Sequence, residues 1–298
     1  MYSVIGTWRM SFEGCKKAEK ILKEDGDISE AILSAINDVE NNPDFHSVGY
    51  SGLPDISGQV TCDAAYMNGD NLKYGAVGDL KNIRNSVNVA ELLSHEESCN
   101  FLVADGALKY ATDHGMTETE MLTDSAEKIY LEKKNEIEKL TSYHDTVCFI
   151  VMKDRHIHCG TSTSGLFLKK EGRLGDTPLC GAGFYCDSRY GACCGTGVGE
   201  DISRGVLSYR CVTLMKEGMS VREAVEKTLY DFCKDIENCR DISLIAMDHR
   251  GNVAGATNSR FAYTHCDSDT TSEIRIQEYI GGQLIERKPT DEDKKMID

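Results

Sequence analysis

An abrupt change of character near the middle of the chain limits the folds that it can adopt. Residues 131–140 are strongly charged, whereas residues 147–151 form an apolar run with the length and composition of a buried strand. The triplet His144-Asp145-Thr146 separates the two stretches. A solvated segment therefore leads directly into a core strand, and Thr146 stands at the boundary between solvent and the interior.

Helical and strand-like patterns occur in both halves of the chain. Apolar residues at helical spacing predict helices over residues 14–22, 28–39, 78–93, 107–113, 125–140, 201–216 and 221–233. Asp27 and Ser220 open two of these segments with capping-box sequences. Strands are predicted over residues 4–8, 59–66, 101–103, 147–152, 156–161, 182–186, 191–195, 242–247 and 253–257. Because many of these strands form hairpins, the pattern favours antiparallel sheets covered by helices, an α+β fold, over a doubly wound parallel sheet.

The composition argues against two classes of partner. The 298-residue chain carries a net charge of −16 and has no dense cluster of Lys and Arg, so we expect no nucleic-acid partner. No apolar stretch approaches the length of a membrane span, so we expect no membrane partner. The N-terminal residues lack the charged and apolar regions of a secretory signal, which predicts a cytoplasmic protein.

The chain contains 13 cysteines, an odd number, and the densest group is Cys180, Cys186, Cys193 and Cys194. These spacings lack the C-x-x-C pairs that are typical of zinc sites. In a reducing compartment such cysteines behave mostly as small buried hydrophobes, which is the interpretation we favour. A metal-binding or redox module remains the alternative, and the favoured interpretation predicts neither a metal nor another cofactor.

Thr146 is a candidate nucleophile. A threonine hydroxyl is a poor nucleophile unless a base removes its proton. At a chain N-terminus the residue's own α-amine, which titrates near about 7.7–8.0, can be that base. An internal threonine acquires such an amine only when the chain is cut just before it. The bond between Asp145 and Thr146 is therefore a candidate cleavage site, and the alternative is a polar cap that precedes a strand.

Several glycine- and threonine-rich motifs surround this triplet. Those that follow it are Thr161-Ser-Thr-Ser-Gly165, Gly172-Arg-Leu-Gly-Asp-Thr-Pro178, Gly181-Ala-Gly183 and Gly195-Thr-Gly197. Those that precede it are Gly6-Thr-Trp8, Val48-Gly-Tyr-Ser-Gly-Leu-Pro-Asp55, Asp63-Ala-Ala-Tyr-Met-Asn-Gly69 and Gly75-Ala-Val-Gly-Asp-Leu-Lys-Asn-Ile-Arg-Asn85. In this order and spacing, over about residues 4–262, the chain closely resembles the glycosylasparaginases, also called aspartylglucosaminidases. Members of that family are N-terminal-nucleophile amidohydrolases that cut the amide between asparagine and an N-linked N-acetylglucosamine.

The resemblance implies catalytic roles for five residues. Thr146 would be the nucleophile, released by an N-to-O acyl shift that Asp145 assists. The hydroxyl of Thr163 would support that nucleophile. The hydroxyl of Thr196 and the backbone N–H of Gly197 would form the oxyanion hole, whose donors stabilise the charge of the tetrahedral intermediate.

The resemblance also implies a substrate-binding group. Arg173 would grip the α-carboxylate of the substrate through two parallel hydrogen bonds, Asp176 would hold its α-ammonium, and Trp8 would line the site. From the residues alone, a surface ion pair between Arg173 and Asp176 in a turn is the favoured interpretation. Residues 195–199 are glycine-rich, but they lack the lysine and the spacing of a phosphate-binding loop. Cys148 stands where the family commonly has glycine, which predicts some crowding beside the nucleophile.

The family further implies a four-layer αββα sandwich. The chain would be one hydrolase domain of residues 1–298, cleaved into an α chain of residues 1–145 and a β chain of residues 146–298 and assembled as a homodimer of cleaved units. The expected substrate is N-acetylglucosaminyl-asparagine or another β-aspartyl compound. Two alternatives remain open: a plant-type L-asparaginase or isoaspartyl peptidase, and an inactive homologue that binds an amino acid without cutting it.

Overall fold

The computed structural model describes residues 1–134, 145–291 and 293. Within this part of the chain the α-helices are α1 (Ser11–Lys23), α2 (Ile28–Glu40), α3 (Ser86–Leu93), α4 (Ala104–Asp113), α5 (Asp124–Lys133), α6 (Gly199–Gly205), α7 (Leu207–Lys216) and α8 (Val221–Asp235). The strands are β1 (Tyr2–Thr7), β2 (Thr61–Asn68), β3 (Tyr74–Lys81), β4 (Phe101–Val103), β5 (Val147–Lys153), β6 (His156–Thr163), β7 (Phe184–Asp187), β8 (Gly191–Gly197), β9 (Ile242–Asp248), β10 (Val253–Thr257), β11 (Arg260–Asp267), β12 (Glu273–Ile280) and β13 (Gln283–Arg287).

Nine strands form one sheet, in the order β13-β12-β11-β1-β5-β6-β2-β3-β4. Its strands pair in antiparallel fashion except for β3 and β4, which are parallel. Strand β5, which begins directly after Thr146, lies between β1 and β6 in the interior of this sheet. The candidate nucleophile therefore stands at the start of a strand that is held by neighbours on both sides.

The remaining four strands form a second antiparallel sheet, in the order β10-β9-β8-β7. Strand β8 lies in its interior and ends at Gly197. Its partner β9 places Ser243 opposite Thr196 and Ile242 opposite Gly197. The two residues expected to form the oxyanion hole thus belong to the end of an interior strand.

Three large buried apolar clusters hold most of these elements together. The first packs α1, α2 and α3 on the nine-stranded sheet, with Ile32 and Ile36 completely buried. The second joins side chains of both sheets, such as Ile150 and Ile245, and the third packs α7 and α8 on the four-stranded sheet. Full burial of one such isoleucine stabilises the fold by about 1.5–3 kcal/mol at most. The predicted α+β class is confirmed.

The helix predicted over residues 78–93 is wrong in its first half. Residues 78–81 belong to β3, and α3 begins only at Ser86. The backbone of β3 lies so close to α3 that a Cβ on Gly75 would stand 2.0 Å from the carbonyl oxygen of Ala90. The strand needs a glycine for this contact, which periodicity of the apolar residues does not reveal.

The single helix predicted over residues 201–216 is two helices, α6 and α7. Val206 separates them with a left-handed backbone (φ +48°), an unusual conformation for a β-branched residue.

At the two predicted caps, Ser220 forms the complete capping box with Glu223, whereas Asp27 caps α2 by accepting a hydrogen bond from the N–H of Ser29.

Other boundaries also differ from the sequence-based expectation. Trp8 follows β1 instead of ending it, and strands β11, β12 and β13 were not predicted. Helix α5 ends at Lys133, and residues 135–140 of the helix predicted over residues 125–140 lie outside the described residues. Among the helices of the described chain, none combines the length and the hydropathy needed to cross a bilayer.

Candidate active site

Thr146 is almost fully buried, with 4% of its surface exposed, and it follows Asp145 in an unbroken chain. Thr7, at the end of β1, fixes the backbone around it. The Thr7 hydroxyl donates to the carbonyl oxygen of Thr146 at 2.6 Å and accepts the N–H of Cys148 at 2.8 Å. This one side chain therefore bridges two backbone groups on either side of Val147. His144, the first residue of the triplet, lies outside the described residues.

Thr196 lies beside the backbone nitrogen of Thr146. Its hydroxyl oxygen accepts the N–H of Thr146 at 3.1 Å and the indole N–H of Trp8 at 3.0 Å. Both bonds use lone pairs of the hydroxyl, so its own proton remains for another acceptor. Trp8 has a left-handed backbone (φ +61°), and its ring meets Phe261 edge to face at a centroid distance of 5.0 Å. Trp8 thus reaches the site through Thr196.

Thr163, at the end of β6, lies on the other side of the chain junction. The N–H of Gly165 donates to its hydroxyl oxygen at 3.0 Å. The hydroxyl in turn lies 3.4 Å from the carbonyl oxygen of Ser47 and 3.5 Å from that of Asp145. The last two contacts are long, and hence weak, hydrogen bonds. Even so, they direct the Thr163 hydroxyl toward the carbonyl group that precedes Thr146.

Most of the expected site residues line one small cavity. Its walls are formed by Thr146, Thr163, Gly165, Leu166, Arg173, Gly175, Asp176, Thr177, Gly197 and Gly199. The cavity has a volume of about 10 Å³, which is about the space required for one water molecule. The uncut chain therefore brings the residues together but leaves no room between them for an amino acid.

Asp176 is a buried carboxyl group with unused bonding capacity. It is 3% exposed, and its Oδ2 atom has no hydrogen-bond partner among the described residues. Burial raises the pKa of Asp176 to about 7, and the negative charges of Glu200 and Asp63 add to this, whereas the Arg173 guanidinium opposes it. Such a group gains most from a cation placed directly against it, because a paired charge is much less costly to bury.

Arg173 is paired with Glu200 in the structure. Its Nε and Nη2 donate to the two carboxylate oxygens of Glu200, each at 3.0 Å. The expected alternative of a surface ion pair with Asp176 is therefore not the arrangement found. Arg173 and Asp176 nevertheless line the same cavity, so a positive and a negative group border the same space.

Most of the cysteines are buried in the core, whereas Cys99 is exposed and Cys180 is half-buried. Cys148 is completely buried in the cluster that joins the sheets, with its thiol 3.5 Å from the carbonyl oxygen of Gly195, and it does not line the cavity. Cys194 belongs to the same cluster, whereas Cys193 packs under α7 and α8. Cys233 and Cys239 form a disulfide. Within the described ranges, no group of three or more His, Cys, Asp or Glu side chains is arranged to hold a metal ion.

Two site residues escaped the sequence analysis. Thr7 stands next to Trp8 in a motif already noted, but nothing in the sequence shows that its hydroxyl bridges backbone groups more than a hundred residues away. Glu200 follows the glycine-rich residues 195–199, and its contact with Arg173 spans a separation of 27 residues. Neither residue belongs to a local pattern, so only the tertiary structure reveals them.

The chain matches known proteins over most of its length. The N(4)-(β-N-acetylglucosaminyl)-L-asparaginase of Elizabethkingia miricola is 32% identical over 259 residues, which cover 83% of this chain and 76% of the relative. A putative N(4)-(β-N-acetylglucosaminyl)-L-asparaginase of Drosophila grimshawi is 31% identical, with coverages of 92% and 80%. The isoaspartyl peptidase/L-asparaginase of Danio rerio is 32% identical, with coverages of 83% and 81%. Residues 9–276 match the family model described as asparaginase. The resemblance noted from the motifs is thus confirmed, and the chain is an amidohydrolase that belongs to the asparaginase family.

Proposed function

We propose that this protein hydrolyses the side-chain amide of N-acetylglucosaminyl-asparagine, with Thr146 as an N-terminal nucleophile. The observation that carries the proposal is the joint presence of Thr146, Arg173 and Asp176 in the wall of one cavity. A substituted asparagine has an α-ammonium and an α-carboxylate at one end and the amide at the other. The wall of the cavity offers a carboxylate, a guanidinium and a candidate nucleophile, one group for each of these parts of the substrate.

The nucleophile has to be released before it can act. The Thr146 hydroxyl attacks the carbonyl carbon of Asp145, the peptide nitrogen leaves as the α-amine, and water hydrolyses the resulting ester. The Thr163 hydroxyl lies 3.5 Å from the Asp145 carbonyl oxygen, and this contact supports a role in polarising that carbonyl. The products are an α chain of residues 1–145 and a β chain of residues 146–298. The two chains stay together because β1 and β5, one from each, are adjacent strands.

The catalytic cycle then uses the new α-amine. The amine takes the proton of the Thr146 hydroxyl, which attacks the side-chain carbonyl of the substrate. The Thr196 hydroxyl and the Gly197 N–H donate to the oxyanion that forms. The amine returns the proton to the leaving glycosylamine, and water hydrolyses the β-aspartyl ester to aspartate. Thr196, which accepts the N–H of Thr146 at 3.1 Å in the uncut chain, is a direct neighbour of the future amine.

Recognition of the substrate depends on both of its charged α-groups. The unpaired Oδ2 of Asp176 suits an α-ammonium, and the guanidinium of Arg173 suits an α-carboxylate. A substrate without the α-ammonium leaves the buried Asp176 carboxyl without a partner, which costs about 1–3 kcal/mol, and one without the α-carboxylate loses its hydrogen bonds with Arg173. A free amino acid moiety is therefore required, and peptides linked through their α-groups are poor substrates.

The small cavity of the uncut chain indicates that cleavage also opens the site. An amino acid does not fit into about 10 Å³, so the walls of the cavity have to move apart before a substrate can bind. We extend the proposal to a four-layer αββα sandwich, supported by the helix-on-sheet, sheet-on-sheet and sheet-on-helix clusters. A homodimer of cleaved units is a prediction that rests on the family resemblance.

A second candidate is an isoaspartyl peptidase, because the relative from Danio rerio carries that name at the same 32% identity. Steady-state rates on N-acetylglucosaminyl-asparagine, a β-aspartyl dipeptide and L-asparagine distinguish the two, with a Thr146→Ala variant as the control for contaminating activity. We expect kcat/KM to be highest for the glycosylated asparagine. A dipeptide that reacts faster by orders of magnitude would refute the substrate assignment. Aspartate binding without any turnover would identify an inactive binding protein.

A further inference from the structure

The guanidinium of Arg173 has two edges that can each hold a carboxylate. One edge is formed by Nε and Nη2, and the other by Nη1 and Nη2. Glu200 occupies the first edge with two hydrogen bonds of 3.0 Å. Nη1 makes no hydrogen bond within the described residues, so the second edge is free. A guanidinium held along one edge has a fixed plane, and this plane determines where the other edge points.

The free edge belongs to a side chain that lines the cavity. Nη1 is 3.1 Å from the position that a Cβ on Gly175 would occupy, and Gly175 lines the cavity together with Arg173. The side chain of Arg173 is 16% exposed, whereas that of Glu200 is 45% exposed. Glu200 is therefore the more exposed partner of the ion pair, and Arg173 is the more buried one.

We propose that Glu200 is a positioning residue for substrate binding: it fixes the plane of Arg173 so that the Nη1 edge meets the α-carboxylate of the substrate. This inference rests on the proposed function and deepens it. Glu200 belongs to the first turn of α6, which starts two residues after Gly197, the expected oxyanion donor. The ion pair thus ties the group that binds the α-carboxylate to the strand end that binds the reacting carbonyl.

Glu200 also acts on the charge at the ammonium end of the site. The charged groups that face Asp176 are Arg173, Glu200 and Asp63, of which the two acids favour its neutral form. Two groups shape the acidic limb of kcat/KM: the α-amine of Thr146 acts as a base only when it is neutral, and Asp176 binds an α-ammonium only when it is ionised. Removal of the Glu200 charge lowers the pKa of Asp176. Loss of this charge therefore moves the part of the acidic limb of kcat/KM that depends on Asp176 to lower pH.

The test compares Glu200→Gln with wild type on the substrate that wild type hydrolyses fastest. Glu171→Gln is the matched control, because it removes the same charge two residues from Arg173 at an exposed position. We expect Glu200→Gln to raise KM about fivefold, as for the loss of an ion pair worth about 1 kcal/mol, with kcat within about twofold of wild type. The acidic limb of kcat/KM moves to lower pH, and Glu200→Asp recovers part of the KM.

A second substrate makes the test specific. A substrate with its α-carboxylate converted to an amide cannot use the Nη1 edge, so Glu200→Gln should not weaken its binding further. If Glu200→Gln matches Glu171→Gln in KM and in pH profile while wild type is active, the inference fails and the proposed function stands. A loss confined to kcat would also overturn the inference. If wild type hydrolyses no β-aspartyl amide and binds no aspartate, both fail.

Discussion

Replacement of Thr7 by valine is the substitution whose effect follows most directly from the geometry of the site. The two side chains have almost the same shape, so Thr7→Val removes a hydroxyl with little change in packing. That hydroxyl is completely buried and is bonded to the carbonyl of Thr146 and the N–H of Cys148 at 2.6 and 2.8 Å. Valine leaves both backbone groups inside the protein without this partner.

The expected loss can be worked from these two bonds. A buried polar group that loses its partner costs about 1–3 kcal/mol. Two groups lose their partner, and relaxation of the surrounding structure recovers part of the cost. We therefore expect the free energy of unfolding to fall by about 2–4 kcal/mol. The carbonyl belongs to Thr146 itself, so the nucleophile also loses its anchor. A displacement of about 1 Å at a reacting group can lower the rate 100-fold, and we expect kcat to fall by about that factor.

Urea denaturation of the uncut protein measures the first quantity. A Thr146→Ala background keeps the chain in one piece, so that unfolding with and without Thr7→Val is compared between single chains. Thr7→Ser, which retains the hydroxyl, is the control and should lose less than half as much stability. The reasoning is refuted if Thr7→Val unfolds within about 0.5 kcal/mol of its background, the range typical of surface substitutions.

Three further substitutions test separate parts of the account. Thr196→Val removes an oxyanion donor and should lower kcat about 100- to 1,000-fold with little change in KM, as steady-state kinetics will show. Burial raises the pKa of the Glu40 carboxyl, although the hydroxyls of Ser162 and Ser86 donate hydrogen bonds to it. The stability that the protonated carboxyl contributes is therefore lost as the pH rises through its folded-state pKa. Glu40→Gln should therefore gain stability relative to wild type as the pH increases above about 4.3, measured by urea denaturation at several pH values. Val206 is 43% exposed and has a left-handed backbone, which glycine adopts without strain. Val206→Gly should therefore raise the free energy of unfolding by about 1 kcal/mol, and an unchanged midpoint of urea denaturation would contradict this.

The sequence predicts local structure well wherever a periodic apolar pattern coincides with a cap or a turn. Helix α8 begins after the predicted capping box at Ser220, and β5 starts at Val147, where the charge pattern ends. The motifs predicted that Thr146, Thr163, Arg173, Asp176 and Gly197 belong to one site, and these residues line one cavity. That prediction came from the resemblance to a family, since spacing alone does not bring residues 146 and 197 together.

The rest depends on contacts between distant segments. Residues 78–81 at the end of β3 were predicted as helix because Leu80 and Ile83 fit the apolar repeat, while the close approach of Gly75 to α3 has no local signature. Val206 interrupts a helix with a conformation that no propensity predicts. Cys148 was expected to crowd the nucleophile, but its side chain packs into the core that joins the sheets. In each case tertiary packing overrides the local preference.

The measurement that tests the central claim most directly is the intact mass of the purified protein under denaturing and reducing conditions, beside a Thr146→Ala variant. The account predicts two fragments, residues 1–145 and residues 146–298, from the wild-type chain and a single uncut chain from the variant. Full-length wild-type protein of 33.0 kDa after prolonged incubation would contradict it. Thr146 would then lack the free amine on which the proposed mechanism depends.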